Sequence, residues 1–315
     1  MATKAVILMA YGAAKDLDDL ERYYTHIRRG RAPSPQELQE LAQRYQAIGG
    51  QSPLLEITRR QAVGLEQRLS ARAGFEHMRV YVGMKHSPPF IADTVRRMVE
   101  DGVEDVYGMV LAPHFSTMSV AQYLEEARGA LAQEGANVRW VPVRSWHLAP
   151  GLIEVLSRRV EEGLGKFGPG EAVTVLFTAH SLPERILTVN DPYPQQIQET
   201  GHAVMTRLGG VVAAYQFGWQ SAGRTREPWL GPDLLTTLTA FSEEGKRAVL
   251  VCPVGFVSDH LEVLYDVDIQ AAAHARQLGI HLERTRSLND DPAFLDALAD
   301  VIAGADGARR LAEAR

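Results

Sequence analysis

The chain has 315 residues, 45% of them hydrophobic and 23% charged, with a formal net charge of −6. That length and apolar content can bury one large core or two ordinary ones, and the acidic balance argues against nucleic acid as a partner, which selects a basic stripe or a high pI. Cys252 is the only cysteine, so an intrachain disulfide and a cysteine-ligated zinc or iron–sulfur site within one chain are excluded.

The first apolar run, Ala5–Ala10, is too short for the core of a secretion signal and leads into acidic residues. No stretch approaches the roughly 18 continuous apolar residues of a membrane span. A cytoplasmic protein is expected. Short apolar runs then alternate with segments of helical period. Strands are predicted at Ala5–Ala10, Arg79–Gly83, Val106–Ala112, Val138–Val141, Val173–Thr178, Val212–Phe217, Ala248–Cys252 and Ile280–Glu283. Helices are predicted at Pro35–Ile48, Pro53–Ala73, Phe90–Asp101, Ser119–Glu134, Gly151–Leu164, Gln195–Leu208, Ser258–Gln277 and Pro292–Ile302. Such alternation points to parallel sheets covered by helices, with ligands beyond the carboxyl ends of the strands.

The two halves resemble each other. Val6–Gly12 and Val175–Ser181 are both apolar strands ending in a small residue and then a ring side chain, Tyr11 or His180. Leu111–Ser119 and Cys252–Asp259 each read as strand, Pro, Phe and Ser before a helix. The expected architecture is α/β: two similar Rossmann-like domains, each a parallel sheet flanked by helices, with the active-site cleft between them. The boundary is placed at Ala149–Pro150, giving domains 1–149 and 150–315, with the last helix able to pack back on the first domain.

Three clusters carry candidate chemistry. Tyr23-Tyr24-Thr-His26-Ile-Arg28-Arg29-Gly-Arg31, with Arg44-Tyr45 and Gly49-Gly50-Gln-Ser52-Pro53, concentrates arginine in an acidic chain. It reads either as an ordinary basic loop or as a seat for carboxylates or phosphates. Thr178-Ala-His180-Ser-Leu-Pro183 puts an imidazole at a strand end, either as a hydrogen-bonded loop residue or as a base or metal ligand. In Ser258-Asp-His-Leu-Glu262-Val-Leu-Tyr-Asp266, Ser258 or Asp259 suits a helix N-cap. Glu262 and Asp266 share one helical face there, as a solvated acidic surface or as a track for hydrated cations. There is no G-x-x-x-x-G-K-[ST] loop, no G-x-G-x-x-G after a strand and no G-x-S-x-G elbow, so nucleotide cofactors and that hydrolase chemistry are not implied.

Together these stretches, with Met9-Ala-Tyr11-Gly, Ala112-Pro-His-Phe-Ser-Thr117, Gly218-Trp-Gln-Ser221 and Pro228-Trp-Leu-Gly-Pro232, resemble the ferrochelatase family along most of the chain. The nearest likeness is to its coproporphyrin III type from Gram-positive-type bacteria. The resemblance implies a lyase of heme biosynthesis that inserts Fe²⁺ into coproporphyrin III to give coproheme. It implies His180 and Glu262 as the catalytic and metal-handling pair and Tyr11 as an axial contact to iron in the product. Arg28, Arg44, Tyr45, Ser52 and Tyr123 fall where the porphyrin propionates and ring edge are held. Fe²⁺ is then a substrate, with no tightly bound cofactor and no iron–sulfur cluster. A monomer is expected, with hand-over to a downstream coproheme-processing enzyme. Two positions depart from the family pattern: Ala13 stands where Thr is usual, and Gln270 stands where an acidic residue often extends the row after Asp266. The second departure puts an accessory metal site in doubt. The alternatives are a protoporphyrin IX ferrochelatase, a coproheme or heme carrier using the same cleft, and a chelatase for another tetrapyrrole.

Overall fold

Runs of Val, Ile, Leu and Met form parallel strands in the computed structural model, which describes residues 3–135, 137–212, 214–223 and 225–313. In the first sheet β1 (Lys4–Ala10) lies between β2 (Arg79–Met84) and β3 (Asp105–Val110), and β3 pairs onward with β4 (Arg139–Val143). In the second, β5 (Val173–His180) lies between β6 (Ala214–Gln220) and β7 (Ala248–Cys252), with β8 (His281–Arg284) beyond β7. The strand orders β2-β1-β3-β4 and β6-β5-β7-β8 are one pattern used twice, which matches the repeat seen in the sequence. Every residue of β3 and β7 is buried, as expected of strands covered on both faces. Ala213, expected in the sixth strand, lies outside the described residues.

The helices are α1 (Leu20–Ile27), α2 (Pro35–Ala47), α3 (Leu54–Ser70), α4 (Ile91–Glu100) and α5 (Val120–Gln133), then α6 (Pro150–Leu164), α7 (Tyr193–Leu208), α8 (Leu234–Glu243), α9 (Ala272–Gln277) and α10 (Pro292–Glu313). Helix α2 starts with a full capping box: Ser34 Oγ accepts from the Glu37 N–H, the Glu37 carboxylate accepts from the Ser34 N–H, and Pro35 takes the first helical position. Among the described residues no helix is long and apolar enough to cross a membrane.

One helix differs in kind from its expected form. The segment expected to run as an α-helix from Ser258 to Gln277 begins only at Leu261, and Val263–Ala271 is a π-helix leading into α9. With the helix starting at Leu261, neither Ser258 nor Asp259 holds the position before it; the Asp259 carboxylate accepts from Ser287 Oγ at 2.7 Å and pairs with Arg284 at 3.3 Å.

The chain forms two compact units. One comprises Met1–Phe115, Ser119–Trp146 and Asn289–Arg315; the other comprises Ser116–Met118 and His147–Leu288. Residues 289–315, assigned from the sequence to the second domain, lie in the first unit. There α10 packs on α3 through the ion pairs Arg68–Asp296 and Arg72–Asp300. Gly64 of α3 leaves room for Leu295: a β-carbon would come within 2.4 Å of its side chain. In each unit the first strand sends its connection to one side and the third strand returns on the other. The carboxyl ends of β1 and β3, and of β5 and β7, therefore flank a switch point, where open α/β sheets bind ligands. Tyr11, just past β1, and His180, the last residue of β5, hold equivalent places.

Candidate active site

His180 Nε2 lies 3.5 Å from Glu262 Oε1. The two come from different elements, the end of β5 and the first turn of the helix after β7. The turn before that helix packs directly on the strand: Gly255 donates its N–H to the Thr178 carbonyl at 3.1 Å. A β-carbon on Gly255 would sit 2.6 Å from that of Ala179, so glycine is what permits the approach. The His180 backbone is held as well, since Tyr193 Oη donates to its carbonyl at 3.0 Å and the next residue, Ser181, donates to the Gln220 carbonyl at 2.7 Å.

The imidazole is oriented by the Ser181 carbonyl, 2.5 Å from Nδ1. A carbonyl only accepts, so Nδ1 carries the hydrogen and Nε2 is the nitrogen turned to Glu262. Burial alone would push His180 down, but the Glu262 charge and hydrogen bond, the Ser181 carbonyl and Asp266 outweigh it and raise the imidazole above its ordinary 6.5. For Glu262, burial acts upward, and the charges and hydrogen bonds of His180 and His260 hold the carboxyl well below its ordinary 4.5. The pair is thus biased toward imidazolium and carboxylate, yet both side chains keep about a third of their surface open, 32% and 30%. An imidazole that is positioned, accessible and paired with a carboxylate is suited to exchanging protons with a bound molecule.

His260 was not among the residues singled out from the sequence. Its Nε2 stands 3.5 Å from the other Glu262 oxygen, Oε2, so the carboxylate lies between two imidazoles. The only sequence signal was its place two residues before Glu262. Further along, the π-helix turns Asp266 inward, where it is buried and accepts from Ser221 Oγ at 2.5 Å. A π-helix has i→i+5 hydrogen bonds and more than 3.6 residues per turn, so positions four apart line up more closely along its axis than in an α-helix. Gln270 is exposed.

The other expected residues belong to the first unit. Tyr11 is 42% exposed, with its ring 4.6 Å from that of His86. The loop behind it is pinned at successive residues: Tyr23 Oη donates to the Gly12 carbonyl, Ser87 Oγ accepts from the Ala13 N–H, and Tyr45 Oη accepts from the Ala14 N–H. Gly12 has φ +97°, and a β-carbon there would meet Ser87 Oγ at 2.6 Å. Tyr45 is only 1% exposed, so its place is behind this loop rather than at a surface. Arg28 pairs with Glu37 and lies over the Tyr24 ring. Arg44 is half-buried on α2, Ser52 Oγ accepts from the Leu54 N–H at the start of α3, and Tyr123 packs under the Lys85 ammonium.

The model of the family described as ferrochelatase matches residues 3–305. The chain belongs to the ferrochelatase family. The ferrochelatase of Herpetosiphon aurantiacus is 41% identical, with 96% of this chain and 99% of that one covered. The coproporphyrin III ferrochelatase of Anoxybacillus flavithermus is 45% identical over 94% of both, and the ferrochelatase of Thermus thermophilus is 44% identical over 95% of this chain and 98% of its own. Among solved structures, SirB from Bacillus subtilis with Fe3+ superposes with TM-score 0.59 at 10% identity, covering 97% of this chain and 96% of that one. CbiX, the terminal enzyme of siroheme biosynthesis in denitrifying bacteria, gives 0.52 at 11% identity over 96% and 98%. At such identities the likeness is one of fold, and it agrees with the chelatase-like α/β architecture expected from the sequence.

Within the ferrochelatase family's reach of residues 3–305 fall all the site residues named above. Among the described residues, no three His, Cys, Asp or Glu side chains are grouped to hold a metal ion. Cys252 is buried in β7, and burial pushes its thiol up to about 12, so it stays protonated.

Proposed function

We propose that this chain inserts Fe²⁺ into coproporphyrin III to form coproheme, a lyase step of heme biosynthesis. The observation that carries the reading is the His180–Glu262 pair at 3.5 Å, exposed by about a third and set at a switch point, in a chain that belongs to the ferrochelatase family. A free-base porphyrin must lose two inner N–H protons before the metal can sit among its nitrogens. His180 accepts one of these protons at Nε2, where the Glu262 carboxylate beside it stabilises the imidazolium formed, and the other passes to water at the solvent-open site. Glu262 also replaces water on the incoming Fe²⁺. One imidazole and one carboxylate suit a borderline metal and leave positions open for the ring nitrogens, which favours handing the ion on.

In this reading Arg28, Arg44, Ser52 and Tyr123 hold the propionates and ring edge, and Tyr45 contributes from behind by fixing Ala14. Tyr11 is the axial contact to iron in the product. Binding energy at the propionates offsets the cost of bending the ring toward the metallated shape. Fe²⁺ is the substrate; the reaction calls for no tightly bound cofactor and no iron–sulfur cluster. The protein works as a cytoplasmic monomer and passes coproheme to a downstream enzyme.

The test is anaerobic incubation of Fe²⁺ and coproporphyrin III with sub-stoichiometric protein, followed at the Soret band. Many turnovers are expected, with a higher rate than on protoporphyrin IX. A single stoichiometric burst would make the chain a carrier, and a faster rate on protoporphyrin IX would reassign the substrate.

A further inference from the structure

Arg28, assigned above to a porphyrin propionate, is not idle without one. Its Nη1 donates to Glu37 Oε1, and both side chains are only partly exposed, 29% and 34%. Glu37 is anchored independently: its second oxygen, Oε2, accepts from the Ser34 N–H at 2.7 Å as half of the α2 capping box. The backbone hydrogen bond from Ser34, ahead of the one from Arg28, holds its carboxyl down at about 2. Glu37 therefore stays ionised and partnered whether or not Arg28 is present. Arg28, for its part, keeps unspent donors, since its buried Nε has no partner among the described residues.

From this we infer that Glu37 is a built-in competitor for the ring's carboxylate, an affinity-setting residue that holds Arg28 until a propionate displaces it. The exchange conserves charge pairs, because one carboxylate leaves the guanidinium as another arrives. It leaves no orphan, because Glu37 falls back on its cap. A partly exposed ion pair contributes little, whereas a two-pronged Arg–carboxylate contact is stronger, so displacement runs downhill but at a cost to net ring affinity. That cost also loosens the product, which has the same propionates.

This inference rests on the reading of Arg28 as a propionate ligand, and its test separates the two. Glu37→Gln removes the charge while Gln at the same helix position preserves the capping box. Coproporphyrin III binding is measured by its own fluorescence, without iron, for the unaltered protein, Glu37→Gln, Arg28→Ala and the double variant, with thermal melts alongside. Glu37→Gln is expected to bind the ring about fivefold more tightly at an unchanged melting temperature, a ratio worth ~1 kcal/mol. Arg28→Ala should bind more weakly, and Glu37→Gln should have no effect in its background. Unchanged or weaker binding by Glu37→Gln, with Arg28→Ala still impaired, would overturn the competitor role and make Glu37 a mere orienting group. Undiminished binding by Arg28→Ala would remove the propionate role itself, and the competitor with it.

Discussion

Each compact unit contains a carboxylate held by positive groups, and the two arrangements differ in a way that separates structure from chemistry. In the first unit, Asp306 accepts from Tyr107 Oη and pairs with Arg309 at 2.8 Å and Lys4 at 3.5 Å, while Asp105 beside it faces Arg139 at 3.2 Å. Asp105, Asp306 and Tyr107 are buried. Burial and then Asp306 push the Tyr107 phenol above its ordinary 10, so it remains a donor. The cations there are lysine and arginine side chains, Lys4, Arg309 and Arg139. In the second unit, Glu262 is held by two imidazoles, His180 and His260. The Coulomb logic is the same, but here the partners are imidazoles, the side-chain type that serves as base or metal ligand. The first arrangement locks α10 against its sheet; the second, in the proposed function, is a reagent.

The sharpest way to break this comparison is to remove one member from each. His180→Ala is expected to lower kcat/KM for iron insertion by about 10²–10⁴-fold, the usual worth of a general base, while porphyrin binding holds. Retained activity in the Soret-band assay would demote His180 to a loop histidine. Asp306→Ala should do the opposite. It removes the carboxylate that Arg309 and Lys4 pair with and that Tyr107 donates to, and breaking a buried pair costs about 3 kcal/mol. Urea melts should record that loss, with kcat/KM per folded molecule unchanged within about twofold, which is ordinary for a mutation remote from the chemistry.

A smaller effect sharpens the difference in titration. His180 is raised above 6.5 and Glu262 lowered below 4.5 in the folded protein. By linkage, the His180 contribution to stability is complete below the unfolded value near 6.5 and is lost as pH rises through the folded one. The Glu262 contribution is complete above the unfolded value near 4.5 and is lost as pH falls through its folded value. The pair stabilises the fold most between those limits, where His180 is protonated and unable to act as a base. Activity should therefore climb as pH rises through the raised pKa, while the pair's contribution to stability declines. Glu262→Gln removes the leading upward cause, so NMR titration of His180 should give a lower pKa than in the unaltered protein. An unshifted His180 would show that Glu262 is not its electrostatic partner.

Much of this arrangement was legible in the sequence because short runs of apolar and β-branched residues have few ways to be buried. The strand positions and the paired ends of β1 and β5 followed from that, and the resemblance then attached chemistry to His180 and Glu262. What escaped depended on geometry that spacing does not encode. An α-helix and a π-helix share the same apolar pattern over a few turns, so the widened segment Val263–Ala271 was invisible. His260 looked like any polar residue at a helix start until its Nε2 was found beside Glu262. Tyr45 carries the same letter whether it faces a ligand or, as here, supports Ala14 from within. That the last helix could pack back on the first domain was expected; the contacts that hold it there, Leu295 over Gly64 and the ion pairs with α3, are too distant in sequence to read locally.

The smallest expected effect concerns Ser221, which adopts φ +59° at the end of β6 and donates to buried Asp266. A left-handed backbone costs a non-glycine residue about 1–2 kcal/mol, and a hydrogen bond to a charged group contributes about 1.5–3 kcal/mol. Ser221→Ala loses the bond and keeps the strain, whereas Ser221→Gly loses the bond and relieves it. The glycine variant should therefore be the more stable of the two by ~1 kcal/mol in urea melts, with both below the unaltered protein. If alanine and glycine were equal, the positive φ would carry no strain. If both variants matched the unaltered protein, the Asp266 contact would contribute nothing, and the inward turn of that carboxylate would rest on the π-helix alone.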